Sequence, residues 1–201
     1  GLSSQVQAEM VDFDINIIFD GGLTQSQMDV FTDAERFWES QIVGYAADLP
    51  FNVTLDITAR GENIDGVGKI LGSAGPTQVF RPFGSSTFYT ANGLMRFDTA
   101  DILALENAGT LSAVINHEIA HVIGFGSLWE LNNLYVEGTG EYTGAFALSA
   151  YRNEFDSQAT FVPVELDGSQ GTIDAHWDEN WQGPQSDLLT GYLEGQTTLS
   201  E

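Results

Sequence analysis

The sequence predicts an α+β fold, and three observations carry that prediction. Two stretches near the start alternate apolar and polar residues with the period of half-buried strands. Two longer stretches repeat apolar residues at helical spacing. The last third is rich in Gly and turn residues and follows neither period. Strands and helices do not alternate as regular β-α units, which argues against a doubly wound parallel sheet.

The first strand is read at Val11-Asp-Phe-Asp-Ile-Asn-Ile-Ile-Phe19 and ends at Gly21-Gly22. Thr24 or Ser26 then caps a helix running to about Tyr45. Its buried stripe is Met28, Phe31, Ala34, Phe37, Trp38 and Ile42, and Leu49-Pro50 closes the unit. Phe51, Val53, Leu55, Ile57 and Ala59 alternate again as a second strand. From Gly61 to Gly84 small residues dominate, and the reading is loop with short strands at Val67 to Leu71 and Thr77 to Phe80. Gly93 to Phe97 is a further short strand. Asp98 to Ala108 reads as helix, broken by Gly109. Thr110 caps a second long helix from Leu111 to about Ile123, with Gly124 as its left-handed terminator. Beyond it one short helix is expected from about Ala145 to Asn153, and Asp174 to Glu201 is mostly loop. The expected division is therefore 1–126, holding the sheet and the second long helix, and 127–201, an irregular unit.

Charge narrows the function. Lys+Arg 6 against Asp+Glu 29 gives a net charge of −23 over 201 residues. Such a surface repels phosphate backbones and anionic membranes, so a nucleic-acid partner is not expected. No run approaches the roughly 20 apolar residues of a membrane span, so no membrane insertion is expected either. With no Cys in the chain, disulfide frameworks, thiolate metal sites and cysteine nucleophiles are excluded. The single lysine, Lys69, and the acid-rich composition fit a secreted, extracellular protein. Gly1-Leu2-Ser3-Ser4 shows no basic region before an apolar run, so any secretory signal is absent from this stretch.

The chemistry concentrates at His117-Glu118-Ile119-Ala120-His121. Residues i and i+4 share one helix face. Two imidazoles there can hold one zinc ion at about 2.0–2.1 Å, with Glu118 beside it as a general base. Polar His-Glu-His inside an otherwise apolar helix would be costly to bury without a ligand. A catalytic zinc takes three protein ligands and keeps one position open. The chain has three histidines, and the third is His176. Asp174, Asp178 and Glu179 flank it, and a carboxylate from this group is the competing third ligand. These residues together predict a zinc-dependent hydrolase. Glu118 takes a proton from the attacking water and passes it to the leaving amine.

The run His117-Glu-Ile-Ala-His121-Val-Ile-Gly124-Phe-Gly-Ser-Leu-Trp129 resembles leishmanolysin-type metallopeptidases, a branch of the metzincins. Ser127 stands where most metzincins carry their third histidine. Leishmanolysin-like enzymes instead insert a segment before a late His-Trp, and His176-Trp177 is similar to that pair. Ala147-Leu-Ser-Ala-Tyr151, Val162-Pro-Val-Glu165, Gly171 and Asp187-Leu-Leu-Thr-Gly191 follow in the family's order, so the resemblance spans roughly residues 60–195. It is closest to bacterial, cysteine-free members. It implies a two-lobed zincin with a twisted mixed sheet and active-site helix above an irregular C-terminal lobe. It also implies a zinc endopeptidase with His117, His121 and His176 as ligands and Glu118 as catalytic base. Its substrates would be protein or peptide chains that add a strand to a sheet edge. Leu189 occupies the position of the family's turn methionine, where a similar volume preserves packing. Family members continue with a C-terminal helix, which implies a shortened or processed form. The same fold without proteolysis, a zinc-containing binding or adhesion module, is the alternative. A monomer is expected.

Other signals lead elsewhere or nowhere. Asp12, Asp14 and Asn16 imitate a calcium loop, but Ile17 and Leu23 replace its Gly and Glu. Calcium is left as a second metal without an identified site. Gly66-Val-Gly68-Lys69 lacks the remainder of a phosphate loop. Tyr192, Trp129 and Trp181 are read as packing residues.

Overall fold

A computed structural model describes residues 13–46, 49, 52–68, 71–192 and 198–200. The parts of the sequence reading at Val11, Asp12, Pro50, Phe51, Lys69 and Ile70 lie outside these residues.

The fold is α+β. The order is β1 (Asp14–Phe19), α1 (Gln25–Gln41), β2 (Thr54–Glu62), β3 (Gly72–Phe80), β4 (Tyr89–Asp98), α2 (Thr99–Ala108), α3 (Leu111–Ile123), β5 (Glu141–Tyr142), α4 (Ala145–Glu154) and β6 (Val162–Pro163). The main sheet is mixed, with order β1-β2-β4-β3. β1, β2 and β4 run parallel, and β3 returns antiparallel to β4. β5 and β6 form a two-stranded antiparallel ladder. Among the described residues no helix is long and apolar enough to cross a membrane.

One face of the sheet carries the core. Ile15, Leu55, Ile57, Ala59, Met95 and Phe97 alternate inward and meet Phe31, Ala34 and Trp38 of α1 and Val114, Ile115, Ile119 and Val122 of α3. The opposite face carries Arg60, Glu62 and Arg96, linked by ion pairs of 3.2–3.4 Å. Being half-exposed, these contribute little to stability. α3 lies close on the sheet because β4 offers no side chain at Gly93, where a Cβ would run into Val122 Cγ1.

Helix boundaries follow local chemistry. Thr24 and Gln27 form a reciprocal cap at the start of α1 (3.3 and 3.0 Å). The helix stops at Gln41, short of Tyr45, because Ile42 is extended. Asp98 caps α2 rather than opening it. Its buried carboxylate also accepts three N–H groups, from Ile64, Asp65 and Gly66, at 2.7–3.1 Å. These amides hold the carboxyl well below the usual carboxylate range. They also fold residues 64–66 around Asp98, and Val67 and Gly68 form a turn where a short strand was expected. Thr110 does not cap α3 through its side chain. Its hydroxyl turns back to the Leu105 carbonyl at 3.5 Å.

The largest departure is β3, a nine-residue strand that includes the short strand expected at Thr77 to Phe80 and extends it back to Gly72. Gly72, Gly75 and Pro76 conceal it, since none favours strand in isolation. An edge strand pairs on one side alone, so it tolerates them. The two edges of the sheet differ. Along β1 the outward amides of Ile15 and Ile17 donate to Glu39 and Glu35 of α1 (2.9 and 3.3 Å), which blocks that edge. β3 has no such cover from a helix. Asp98 N donates to Leu71 O at 2.9 Å, so Leu71 faces β4 and the alternation turns Gly72, Ala74 and Pro76 outward.

Gly93→Ala is expected to lower stability by about 1–3 kcal/mol, as overpacking does at a close contact. Urea unfolding checks this, and an unchanged midpoint would show that α3 has room to move.

Candidate metal centre

α3 presents its histidines because its remaining faces are occupied. Leu111, Val114, Ile115, Ile119 and Val122 are buried against the sheet and α1. The Trp38 indole N–H donates to the Asn116 carbonyl at 3.0 Å, pinning the turn just before His117. His117 and His121, one turn apart, line the cavity bordered by β3.

His176 arrives from a loop clamped at several points. Glu165 N donates to His176 O (2.9 Å), and Asp174 N donates to Glu165 O (2.8 Å). The buried Glu165 carboxylate accepts from Asp167 N and Glu179 N at 2.7 and 3.3 Å. Trp177 stacks on Trp129, with ring centroids 5.0 Å apart, and meets the edge of Phe125 at 4.9 Å. Gly126, at φ 69°, lets the chain after α3 pass against Ala175, where a Cβ would strike the Ala175 carbonyl.

The result is a near-equilateral triangle. The Nε2 atoms of His117, His121 and His176 lie 3.0 Å from one another. Each ring's other nitrogen meets a backbone carbonyl: His117 Nδ1 with Leu188 O at 2.7 Å, His121 Nδ1 with Phe125 O at 3.0 Å, and His176 Nδ1 with Thr172 O at 2.7 Å. A carbonyl only accepts, so each Nδ1 carries the proton. Each Nε2 of a neutral ring therefore points a lone pair at two others, an arrangement with no hydrogen to share.

A cation equidistant from the three nitrogens resolves that repulsion. Tetrahedral zinc with nitrogens at about 2.0–2.1 Å would space them roughly 3.3 Å apart, close to what is found. The donor set and its carbonyl-fixed tautomers suit a metal ion that takes neutral imidazole. His117 and His176 are buried and His121 is half-buried, and among the described residues this is the one group of three or more that could hold a metal.

Burial holds the rings neutral. It lowers His117 to about 4, with His121 adding to the effect. It lowers His176 to about 2, followed by the influence of His121 and His117. His121 is lowered as well, again chiefly by burial. Glu118 shares the cavity, and burial raises its carboxyl to about 7.

The cavity measures about 580 Å³ and opens to solvent. Leu71, Gly72, Ser73 and Ala74 form one wall, and Gly126, Ser127, Thr172, Ala175, Gly191 and Tyr192 line the rest. The free edge of β3 thus borders the three imidazoles.

All four residues singled out from the sequence, His117, Glu118, His121 and His176, meet at this cavity. The competing carboxylates are engaged elsewhere. Asp174 accepts from the Tyr135 hydroxyl and from Gly138 N (2.8 Å), Asp178 from Asn180 N (2.6 Å) and Glu179 from Tyr192 N (2.8 Å). Burial and Asp174 push the Tyr135 phenol up to about 12, so it remains a donor. Trp129 and Trp181 are buried, as read. Tyr192 stands 45% exposed at the cavity rim, with its hydroxyl beside Gly168. Sequence reasoning missed the carbonyls of Leu188, Phe125 and Thr172 and the clamp at Glu165, because backbone acceptors and isolated carboxylates leave no spacing signal.

The unfolded chain titrates its imidazoles near 6.5, above their values in the fold. Over pH 6.5 down to about 4 the unfolded state binds more protons at these imidazoles, so their contribution to stability falls with pH, while Glu118, raised to about 7 in the fold, offsets part of that loss above about pH 4.5. The metal-free protein is expected to lose up to about 1.4 kcal/mol per pH unit for each imidazole across that window. Urea midpoints from pH 7 to 4 measure it. His176→Phe should flatten the dependence, and an equally steep slope in that variant would refute the assignment.

No family model matches the chain, and no curated protein matches it.

Proposed function

We propose that this protein is a zinc-dependent endopeptidase of the leishmanolysin-like kind, a two-lobed metzincin with His117, His121 and His176 as ligands. The observation that carries the reading is the convergence of three neutral Nε2 lone pairs on one point in an open cavity that also contains Glu118. A closed structural zinc site uses four protein ligands, whereas three ligands beside an open cavity is the catalytic pattern. When bound, zinc supplies Lewis acidity that brings water to a pKa near 7 and polarises a carbonyl oxygen.

The chain's own residues supply the rest. Glu118 holds no hydrogen bond to the described residues, so its carboxylate is free to accept the proton of the attacking water. The water oxygen bonds to the peptide carbon, the carbon–nitrogen bond breaks, and Glu118 returns the proton to the departing amine. A group poised near neutrality suits both transfers, and a cation beside it favours the ionised form that begins the cycle. The substrate lies extended along β3, where Gly72 and Ala74 offer outward N–H and C=O groups. Pro76 has no N–H to offer, so the ladder weakens there.

The non-enzymatic zinc module has less support, since a binding domain has no use for a free carboxylate in that cavity. Casein digestion with and without a chelator, beside elemental analysis, tests the proposal. Glu118→Ala is expected to retain zinc and to lose about 10²–10⁴-fold in kcat. Full activity in that variant would refute the mechanism. Ala74→Pro removes one outward N–H and no bond to β4. It should lower kcat/KM on a long peptide by about 2–10-fold, the worth of one hydrogen bond. Zinc affinity should stay constant, and an unaltered kcat/KM would move the substrate away from this edge.

A further inference from the structure

Beyond the ligands and the base, the turn at residues 187–190 holds two of the three imidazoles. Leu188 O accepts from His117 Nδ1, and Leu189 O accepts from the N–H of Trp177, the neighbour of His176, at 3.0 Å. The turn in turn depends on Asp187, which is fully buried. One carboxylate oxygen accepts from Leu189 N at 2.9 Å. The other accepts from Ser200 N at 2.9 Å and from the Ser200 hydroxyl. Leu188 N donates to Thr198 O at 2.7 Å, so the same segment grips the turn a second time. Neither the ligand set nor the proton transfers use any of these groups.

We infer that Asp187 and residues 198–200 form a strut that fixes the Leu188 carbonyl, and through it the tautomer and orientation of His117. Asp187 is thus a positioning residue for the metal. The physical logic is that of partners behind metal ligands. An imidazole held by a rigid acceptor keeps its Nε2 lone pair aimed without losing further entropy on binding. Such partners typically govern metal affinity by about 10–100-fold. A carbonyl acceptor in a turn is rigid only if something anchors the turn. Here a carboxylate with both oxygens engaged does so, between two segments of chain.

The inference rests on the metal centre of the proposed function, not on proteolysis. The test is zinc affinity of the full chain, by competition with a chromophoric chelator, together with the visible spectrum of the cobalt-substituted protein. Both are measured where circular dichroism shows every variant folded. Asp187→Asn places an amide donor against the Ser200 donors, and is expected to weaken zinc about 10–100-fold and to alter the cobalt bands. Ser200→Ala removes one donor to the same oxygen and should weaken zinc several-fold, by the same route. It decides the matter alone if the first variant does not fold. Ser186→Ala loses only a 3.4 Å contact with Thr198 at the same junction and should leave zinc affinity within about twofold. Zinc affinity and cobalt spectrum unchanged in Asp187→Asn or, failing that, Ser200→Ala would overturn the inference even if thermal stability fell. Absence of zinc binding in the unaltered protein would instead remove the metal centre, and the strut with it.

Discussion

Three imidazole Nε2 atoms converge to within 3.0 Å of one another, and the rest of the structure is arranged around holding them there. The rings cannot share a proton among themselves without charging one, and burial opposes that. They cannot exchange tautomers either, because each Nδ1 is committed to a carbonyl. The fold therefore maintains a point of concentrated negative potential inside a chain that already carries a net charge of −23. Separate supports from different parts of the chain hold the rings in place. α1 pins α3 through Trp38, the aromatic cluster around Trp129 seats Trp177, and the buried turn at Asp187 supplies the acceptor for His117.

The same economy is visible in the sheet. Both edges of an open sheet expose unpaired backbone groups, and an exposed edge invites association. At β1 two carboxylates from α1 occupy the outward amides, at the expense of placing Glu35 and Glu39 near one another. Burial and the proximity of Glu39 raise the Glu35 carboxyl, which records that strain. At β3 the amides are left without such cover, and the shielding is replaced by Pro76 and a shift of register between Pro76 and Val79. Those features shorten the usable edge without closing it. The open stretch, Gly72 to Ala74, is the part that borders the histidines. The sheet therefore has one edge blocked and the other open beside the cavity that holds the histidines.

How much of this was legible in the sequence depended on whether the signal was periodic. α3 could be read almost to the residue, since Leu111 to Ile123 carries a full apolar face and Gly124 ends it. The helical histidine pair followed from i and i+4 spacing alone. His176 was reachable only by counting ligands and by resemblance, because a loop residue has no period. β3 was hidden because its glycines and proline contradict strand propensity, while its stability comes from β4, which no local window contains. Asp98, Glu165 and Asp187 were invisible for a related reason. Each is a buried carboxylate stabilised by backbone donors brought from elsewhere in the chain, and in the sequence it is indistinguishable from the other acids on the surface.

These buried carboxylates and the histidine triangle belong to one physical scheme. A carboxylate ringed by N–H groups is stable when ionised, so it can fix a turn firmly without any cation. Asp98 does this at the end of β4, and the Glu165 and Asp187 carboxylates likewise accept backbone N–H groups behind His176 and His117. With the loops made rigid by carboxylates that need no metal, the imidazoles are held in a geometry that a cation would stabilise. Had the same loops been anchored by the histidines themselves, metal-free protein would collapse the triangle by rotating a ring toward a new donor. Division of labour between carboxylates that hold the backbone and imidazoles that hold lone pairs is what keeps the centre open, neutral and preorganised. A cation that binds these three nitrogens would couple its binding to folding, because they converge only in the native arrangement.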